Sequence, residues 1–135
     1  LLPGGGATQI ALARFLRRHA ETIPGREQLA VEAFADALEV IPRVLAENAG
    51  LDPLDTLLRV VAEQSTSTSK DAHCIGLDVI ARGPANMKEK GVVEPLRITR
   101  QVLAGATEAA LSVLRIDDVL WAKQDPTIPD GLDED

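Results

Sequence analysis

The chain has 135 residues, which fits one domain or part of one. Its formal net charge of −7 argues against a nucleic-acid partner, because phosphate binding depends on a basic surface. No apolar run approaches the roughly 18 residues that span a bilayer, so no membrane partner is expected. A single cysteine, Cys74, excludes an internal disulfide and favours a reducing, cytoplasmic location. The start at Leu1, without Met or a basic leader, suggests a piece of a longer chain.

Three consecutive glycines, Gly4, Gly5 and Gly6, stand near the start of the chain and lead into an apolar-periodic segment. We call these three residues the glycine loop. Glycine lets the backbone approach a ligand closely, and the free N–H groups at a helix entry can bind an anion. Helix entries are also often glycine-rich for purely steric reasons, so the pattern alone does not establish a site.

A first helix is predicted from about Gly6 to Glu21. Its apolar face by spacing comprises Leu12, Phe15, Leu16 and His19. His19 is therefore expected in the core or at its rim. Pro24 and Gly25 then mark a turn.

A second helix is predicted from about Arg26 to Asn48, with Pro42 inside its apolar pattern. Proline removes a backbone donor and clashes with the preceding turn, so the helix should kink or restart there. If Pro42 merely interrupts the helix, Pro42→Ala should be tolerated, which is the outcome that the sequence favours. If the bend is needed to pack Leu45 against the core, the same change should destabilise the protein.

Asp52 and Pro53 predict the start of a third helix, with Asp as the cap and proline at the first helical position. A polar loop from Ser65 to Asp71 follows. The β-branched, half-alternating segment Cys74–Ile80 predicts a strand.

The last helix is predicted to begin at Glu94 and Pro95, and Ile116–Ala122 to form a terminal strand. The fold class that follows is mainly α, a helical bundle with two or three short β-strands. The acidic end, residues 125–135, reads as a solvated and flexible tail.

Local motifs give no complete catalytic apparatus. No Ser or Cys has a partner at a recognisable spacing, and there is no GxxxxGK[ST] or GxGxxG phosphate motif. His73 and Cys74 are adjacent, but two ligands cannot close a tetrahedral zinc site, so neither a catalytic residue nor a metal site is predicted.

Five blocks, in order along nearly the whole chain, resemble the C-terminal half of the equatorial domain of a group II chaperonin, the ring-forming kind of archaea and the eukaryotic cytosol. They are Leu2-Pro3-Gly4-Gly5-Gly6-Ala7, Gly25-Arg26-Glu27-Gln28-Leu29-Ala30, Ala46-Glu47-Asn48-Ala49-Gly50-Leu51-Asp52-Pro53, Gly91-Val92-Val93-Glu94-Pro95-Leu96-Arg97 and Leu114-Arg115-Ile116-Asp117-Asp118-Val119. The resemblance assigns residues 1–124 to that domain. It also implies a mainly helical, chaperonin equatorial-domain-like fold.

The resemblance implies a nucleotide-binding role for seven positions. The glycine loop would contact the bound nucleotide, and most of all Gly5, so Gly5→Val is expected to weaken ATP binding. Glu94, the acid before proline, would accept hydrogen bonds from the ribose hydroxyls. A competing explanation for Glu94 is a favourable charge at a helix N-terminus, and both can hold together. Asp78, Val79 and Ile80 align with the segment that contacts the purine, although the residues after them depart from the family pattern.

The resemblance also implies what lies elsewhere in the family. The phosphate loop with its magnesium-binding aspartate, the general-base aspartate and the client-binding domain all belong to other parts of the subunit. ATP or ADP with Mg is thus expected in an intact family member, with other chaperonin subunits and unfolded client proteins as partners. This chain alone is expected neither to bind ATP tightly nor to hydrolyse it. The alternative is a free-standing, truncated chaperonin-derived protein that mediates interaction or oligomerisation without a nucleotide.

Overall fold

The computed structural model describes residues 1–122, and their side chains through residue 116. Residues 1–96 form one compact unit, and the chain from residue 97 onward is assigned to a second. In chain order the elements are β1 (Leu2–Pro3), α1 (Ala7–Ala20), α2 (Glu27–Leu38), α3 (Val40–Asn48), α4 (Pro53–Thr66), a 3₁₀ turn (Ala72–Cys74), β2 (Ile75–Asp78), β3 (Gly83–Asn86), β4 (Val93–Glu94) and α5 (Leu96–Ala122). The predicted mainly helical fold with a few short strands is confirmed. The predicted tail at 125–135 lies outside the described residues.

The first unit contains two small antiparallel sheets, one between distant segments and one formed by a hairpin. In one sheet β1 pairs with β4, with Leu2 opposite Glu94. In the other β2 pairs with β3, from Ile75 opposite Asn86 to Asp78 opposite Gly83. The core lies beside β2 and is formed by Ile10, Ala46, Leu57, Val60, Ile75 and Leu77. The first and last strands of this unit therefore meet at the entrance to α1.

The face by which α1 packs differs from the predicted one. The helix buries Ala7, Ile10, Ala13 and Ala20, whereas Phe15 is 58% exposed and stacks on the exposed His19. The alanines present almost no side chain, so they let neighbouring elements approach the helix closely. The spacing of apolar residues predicted the helix itself. It did not predict that the face of small residues would be the buried one.

The predicted kink at Pro42 is confirmed as a restart of the helix. α2 ends at Leu38 and α3 begins at Val40. Pro42 has no N–H to donate to the Leu38 carbonyl, and its ring crowds that carbonyl, so the break falls one turn before the proline. At the junction Glu39 is almost buried and its carboxylate receives both Nη1 and Nη2 of Arg17, at 2.5 and 2.8 Å.

The cap predicted for the third helix is confirmed in α4. The Asp52 carboxylate accepts a hydrogen bond from the Asp55 N–H at 2.7 Å, and Pro53 occupies the first turn. The predicted strand is shorter than expected, because β2 ends at Asp78 and a turn leads into β3. β3 was missed because it contains Pro84, which is unfavourable in a strand but tolerated at the edge of a sheet.

The predicted terminal strand over Ile116–Ala122 is wrong, since α5 continues through Ala122. The β-branched residues of that segment, Ile116 and Val119, stand three apart, which is a helical spacing. No glycine or proline interrupts the sequence between Gly105 and Pro126. Among the described residues, no helix is both long and apolar enough to cross a membrane.

Candidate functional site

The glycine loop runs from β1 to α1 and lies against the backbone of β2. The Gly4 N–H donates to the Val92 carbonyl at 2.9 Å, and the Gly5 carbonyl accepts from the Leu77 N–H at 2.8 Å. The Ala7 N–H then donates to the Gly4 carbonyl at 3.1 Å, which turns the chain into α1. These bonds hold the loop between the residues before β4 and the middle of β2.

Close packing explains why glycine is needed here. Gly5 has a φ of +61°, and a Cβ there would lie 2.6 Å from the Met87 Sδ and 2.7 Å from the Leu77 carbonyl oxygen. On the facing strand, a Cβ at Gly76 would lie 2.8 Å from the Gly4 oxygen. Gly5→Val would therefore disturb the protein's own packing, and that variant does not isolate a ligand contact.

A cavity of about 430 Å³ opens beside the loop. It is lined by Gly5, Leu45, Leu77, Asp78, Val79, Ile80, Ala81, Met87, Lys90 and Val92. Four of the seven residues singled out in the sequence are thus brought to one cavity from two distant parts of the chain. Gly4, Gly6 and Glu94 are not among its lining residues.

The Asp78 carboxylate shapes the turn at the edge of the cavity. Its Oδ1 accepts from the Ile80 and Ala81 N–H groups, at 2.8 and 3.0 Å, and its Oδ2 lies 3.2 Å from the Lys90 Nζ. The backbone N–H of Ala81 and the Lys90 ammonium hold the pKa of Asp78 below its ordinary value. Both carboxylate oxygens are engaged within the protein, so Asp78 holds the turn that presents Val79 and Ile80.

Glu94 is not part of the cavity lining. It is half-buried in β4, opposite Leu2 of β1. Val92, two residues earlier in the chain, lines the cavity and accepts a hydrogen bond from the Gly4 N–H. The structure therefore brings Glu94 to the strand that follows a lining residue, but not into the lining itself.

Gln64, which is not among the residues predicted from the sequence, anchors the elements on either side of the loop. It is 2% exposed, and its Nε2 donates to the Ala7 carbonyl at 3.0 Å and to the Ile75 carbonyl at 2.7 Å. One buried amide thus ties the start of α1 to the start of β2. A signal was available, because Gln64 follows Val60 and Leu57 at helical spacing and is a polar residue on an apolar face. Lys90 had no comparable signal, since it stands in an ordinary charged run.

A model of the TCP-1/cpn60 chaperonin family matches residues 1–124. The chain belongs to this family. The resemblance to group II chaperonins is confirmed by a solved structure, the open-state monomer of a group II chaperonin from Methanococcoides burtonii. That structure matches with a TM-score of 0.78 and 43% identity, over 84% of this chain and 27% of that chain.

Curated relatives of this chaperonin-family chain are thermosome subunits of archaea. The chain is 53% identical to a thermosome subunit of Methanocaldococcus jannaschii over 124 residues, which is 92% of this chain and 22% of the relative. It is 48% identical to thermosome subunit 1 of Haloferax volcanii over 135 residues, which is 100% of this chain and 23% of the relative. The chain therefore spans less than a quarter of the length of these relatives.

Proposed function

We propose that this chain forms one wall of the nucleotide site in an ATP-dependent group II chaperonin subunit that assists protein folding. One observation carries the proposal. The cavity brings Gly5 beside Asp78, Val79 and Ile80, and the family resemblance assigns a nucleotide-binding role to all four of these positions. The family match over residues 1–124 supports the same assignment.

The chemistry of the lining fits a nucleoside. Val79 is 43% exposed and Ile80 is 91% exposed, so the turn offers apolar side chains to the face of a purine. Gly5 is half-buried and is the residue of the glycine loop that lines the cavity, so its backbone can contact a ligand there.

Glu94 would bind the ribose, as the family resemblance implies. A carboxylate can accept from both vicinal hydroxyls, and Glu94 lies two residues after Val92, which lines the cavity. The negative charge also favours the N-terminus of α5, which begins two residues later at Leu96. Glu94→Ala should therefore weaken nucleotide binding by about 1–3 kcal/mol if the acceptor bonds are buried in the complex.

This wall supplies binding and orientation but no chemical step. In the family, the phosphate loop, the magnesium ligand and the general base lie in other parts of the subunit, and ATP with Mg would complete the site there. Phosphoryl transfer depends on such metal and phosphate ligands, so we expect no hydrolysis by this chain alone. Other subunits in a ring, unfolded clients and a cytoplasmic location belong to the same proposal.

A chimera tests the proposal. The M. jannaschii thermosome subunit is 53% identical to this chain, so the matching 124 residues can be exchanged within it. Ile80→Glu places a charge where the purine face would pack. The Ile80 side chain is 91% exposed, so this change should have little effect on the stability of the fold. We expect nucleotide affinity in the chimera to fall at least about tenfold, or roughly 1.4 kcal/mol.

The matched control is Leu29→Glu, because Leu29 is an apolar residue on α2 that is 65% exposed and lies outside the cavity lining. It should leave affinity unchanged. Equal affinity in Ile80→Glu and Leu29→Glu would refute the assignment of the cavity. It would favour the alternative of a chaperonin-derived interaction or oligomerisation protein, which no described feature supports over the nucleotide wall.

A further inference from the structure

Three metal-ligating side chains converge at the 3₁₀ turn that precedes β2. One ligand atom each from the Asp71 carboxylate, the His73 imidazole and the Cys74 thiol lie within 4.8 Å of one another. The Cys74 N–H donates to the Asp71 carbonyl at 2.8 Å, which folds the chain back so that these residues meet. Only His73 and Cys74 are adjacent in the sequence, and two ligands predict no metal site.

We propose that Asp71, His73 and Cys74 bind a divalent transition-metal ion, with Zn²⁺ as the best match. Thiolate, imidazole and carboxylate are the protein ligands of zinc, and three of them leave a fourth tetrahedral position for water. Magnesium and calcium prefer sites made of oxygen ligands, so the sulfur and nitrogen here disfavour them. None of the three residues lines the nucleotide cavity, so the proposal stands apart from the nucleotide assignment.

The negative charge beside Cys74 favours a cation. The Asp71 carboxylate lies with the Cys74 thiol in the cluster, and a metal bound there would displace the thiol proton. A cation already approaches this point, since the Lys88 Nζ lies 3.5 Å from an Asp71 carboxylate oxygen.

The cluster can be reached from solvent on two sides. His73 and Cys74 line a cavity of about 310 Å³ together with Lys88. Asp71 lines a second cavity of about 280 Å³, to which Glu63 and Glu89 add further carboxylates. The Lys88 side chain is 65% exposed, so its ammonium can turn into water and free the Asp71 carboxylate for a metal.

Titration of the purified 135-residue chain with Co²⁺ and Zn²⁺ tests the site. We expect one ion per chain and a thiolate-to-cobalt charge-transfer band, which Zn²⁺ abolishes by displacement. Because Cys74 is the only cysteine of the chain, the band assigns the ligand without any substitution. The absence of the band, or of Zn²⁺ binding, would overturn the proposal.

Variants then identify the other ligands. Loss of an outer-shell partner lowers metal affinity about 10–100-fold, so loss of a direct ligand in His73→Ala or Asp71→Asn should lower it by more. Lys88→Gln removes the competing ammonium and should tighten binding. His19→Ala is the control, since His19 is exposed on α1 and outside the cluster. Zn²⁺ affinity that is unchanged in His73→Ala, or lowered equally in His19→Ala, would contradict the proposed ligand set.

Discussion

Gly6 packs directly against the ring of Pro42. A Cβ at Gly6 would lie 2.7 Å from the Pro42 Cβ, and Pro42 is buried. The proline in the first turn of α3, which causes the break after α2, is thus also the residue against which the glycine loop packs. The helix break and the loop are therefore parts of one packing arrangement beside the candidate nucleotide cavity.

Gly6→Ala should destabilise the protein more than Gly25→Ala. Both glycines have positive φ, +75° and +78°, but only Gly6 has a neighbour in the way, because nothing lies within 4 Å of a Cβ at Gly25. The left-handed backbone alone costs about 1–2 kcal/mol with a side chain, and overpacking adds about 1–3 kcal/mol at Gly6. Urea unfolding of the two variants measures the difference, and equal losses would show that Pro42 does not constrain the loop.

Pro42→Ala should lower the free energy of unfolding by about 1–2 kcal/mol. Alanine suits a helix interior better than proline by about 3 kcal/mol, which is why the sequence alone favours tolerance. In the structure the break is already present, and Leu45 beyond it packs against the core. The change also removes the buried ring that faces Gly6. Thermal and urea unfolding measure whether Pro42→Ala raises or lowers the free energy of unfolding. A stabilised variant would mean that the bend is not needed.

The hairpin turn at the cavity should depend on the charge of Asp78. The folded pKa of this carboxyl is lowered, so its stabilising contribution is present above the unfolded pKa, about 3.9, and is lost as pH falls through the folded value. We expect the amide resonances of Ile80 and Ala81 to shift together in acid, with a midpoint below the ordinary Asp value. In Asp78→Asn the acid shift should vanish, and a shift that persists would assign it to another group.

The sequence predicted the parts of the fold that depend on local chemistry. The Asp52 cap, the break caused by Pro42 and the helical nature of the first half follow from neighbouring residues. The buried face of α1 depends instead on which elements pack against its alanines, and that information is not local. β3 was missed because Pro84 is acceptable only at a sheet edge, and sheet position is set by tertiary pairing.

The candidate site could likewise be predicted from the sequence only in part. Gly5, Asp78, Val79 and Ile80 could be named from the family resemblance, but that Gly5 shares a cavity with the hairpin turn depends on the hydrogen bond between Gly5 and Leu77. Asp71 could not be predicted as a ligand from the sequence, because it is the backbone turn before β2 that brings it close to Cys74. Both contacts depend on the three-dimensional course of the backbone, which the spacing of residues in the sequence does not give.

The isolated 135-residue chain should self-associate and bind ATP negligibly. The reason is its exposed apolar side chains, and within the first unit they include Phe15 at 58%, Leu29 at 65% and Leu54 at 61% exposure. Sedimentation at micromolar concentration with a parallel ATP titration checks both expectations. A stable monomer would contradict the first, and tight ATP binding would contradict the second.

Photoaffinity labelling tests the nucleotide wall most directly. An adenine nucleotide with a photoreactive azide on its base would be bound to the M. jannaschii chimera, irradiated, and the labelled residues identified by peptide mass spectrometry. We expect labelling within the turn from Asp78 to Ala81, with protection by excess unlabelled ATP. Protected labels that fall only outside residues 1–124, with none in this turn, would contradict the claim that this segment holds the purine.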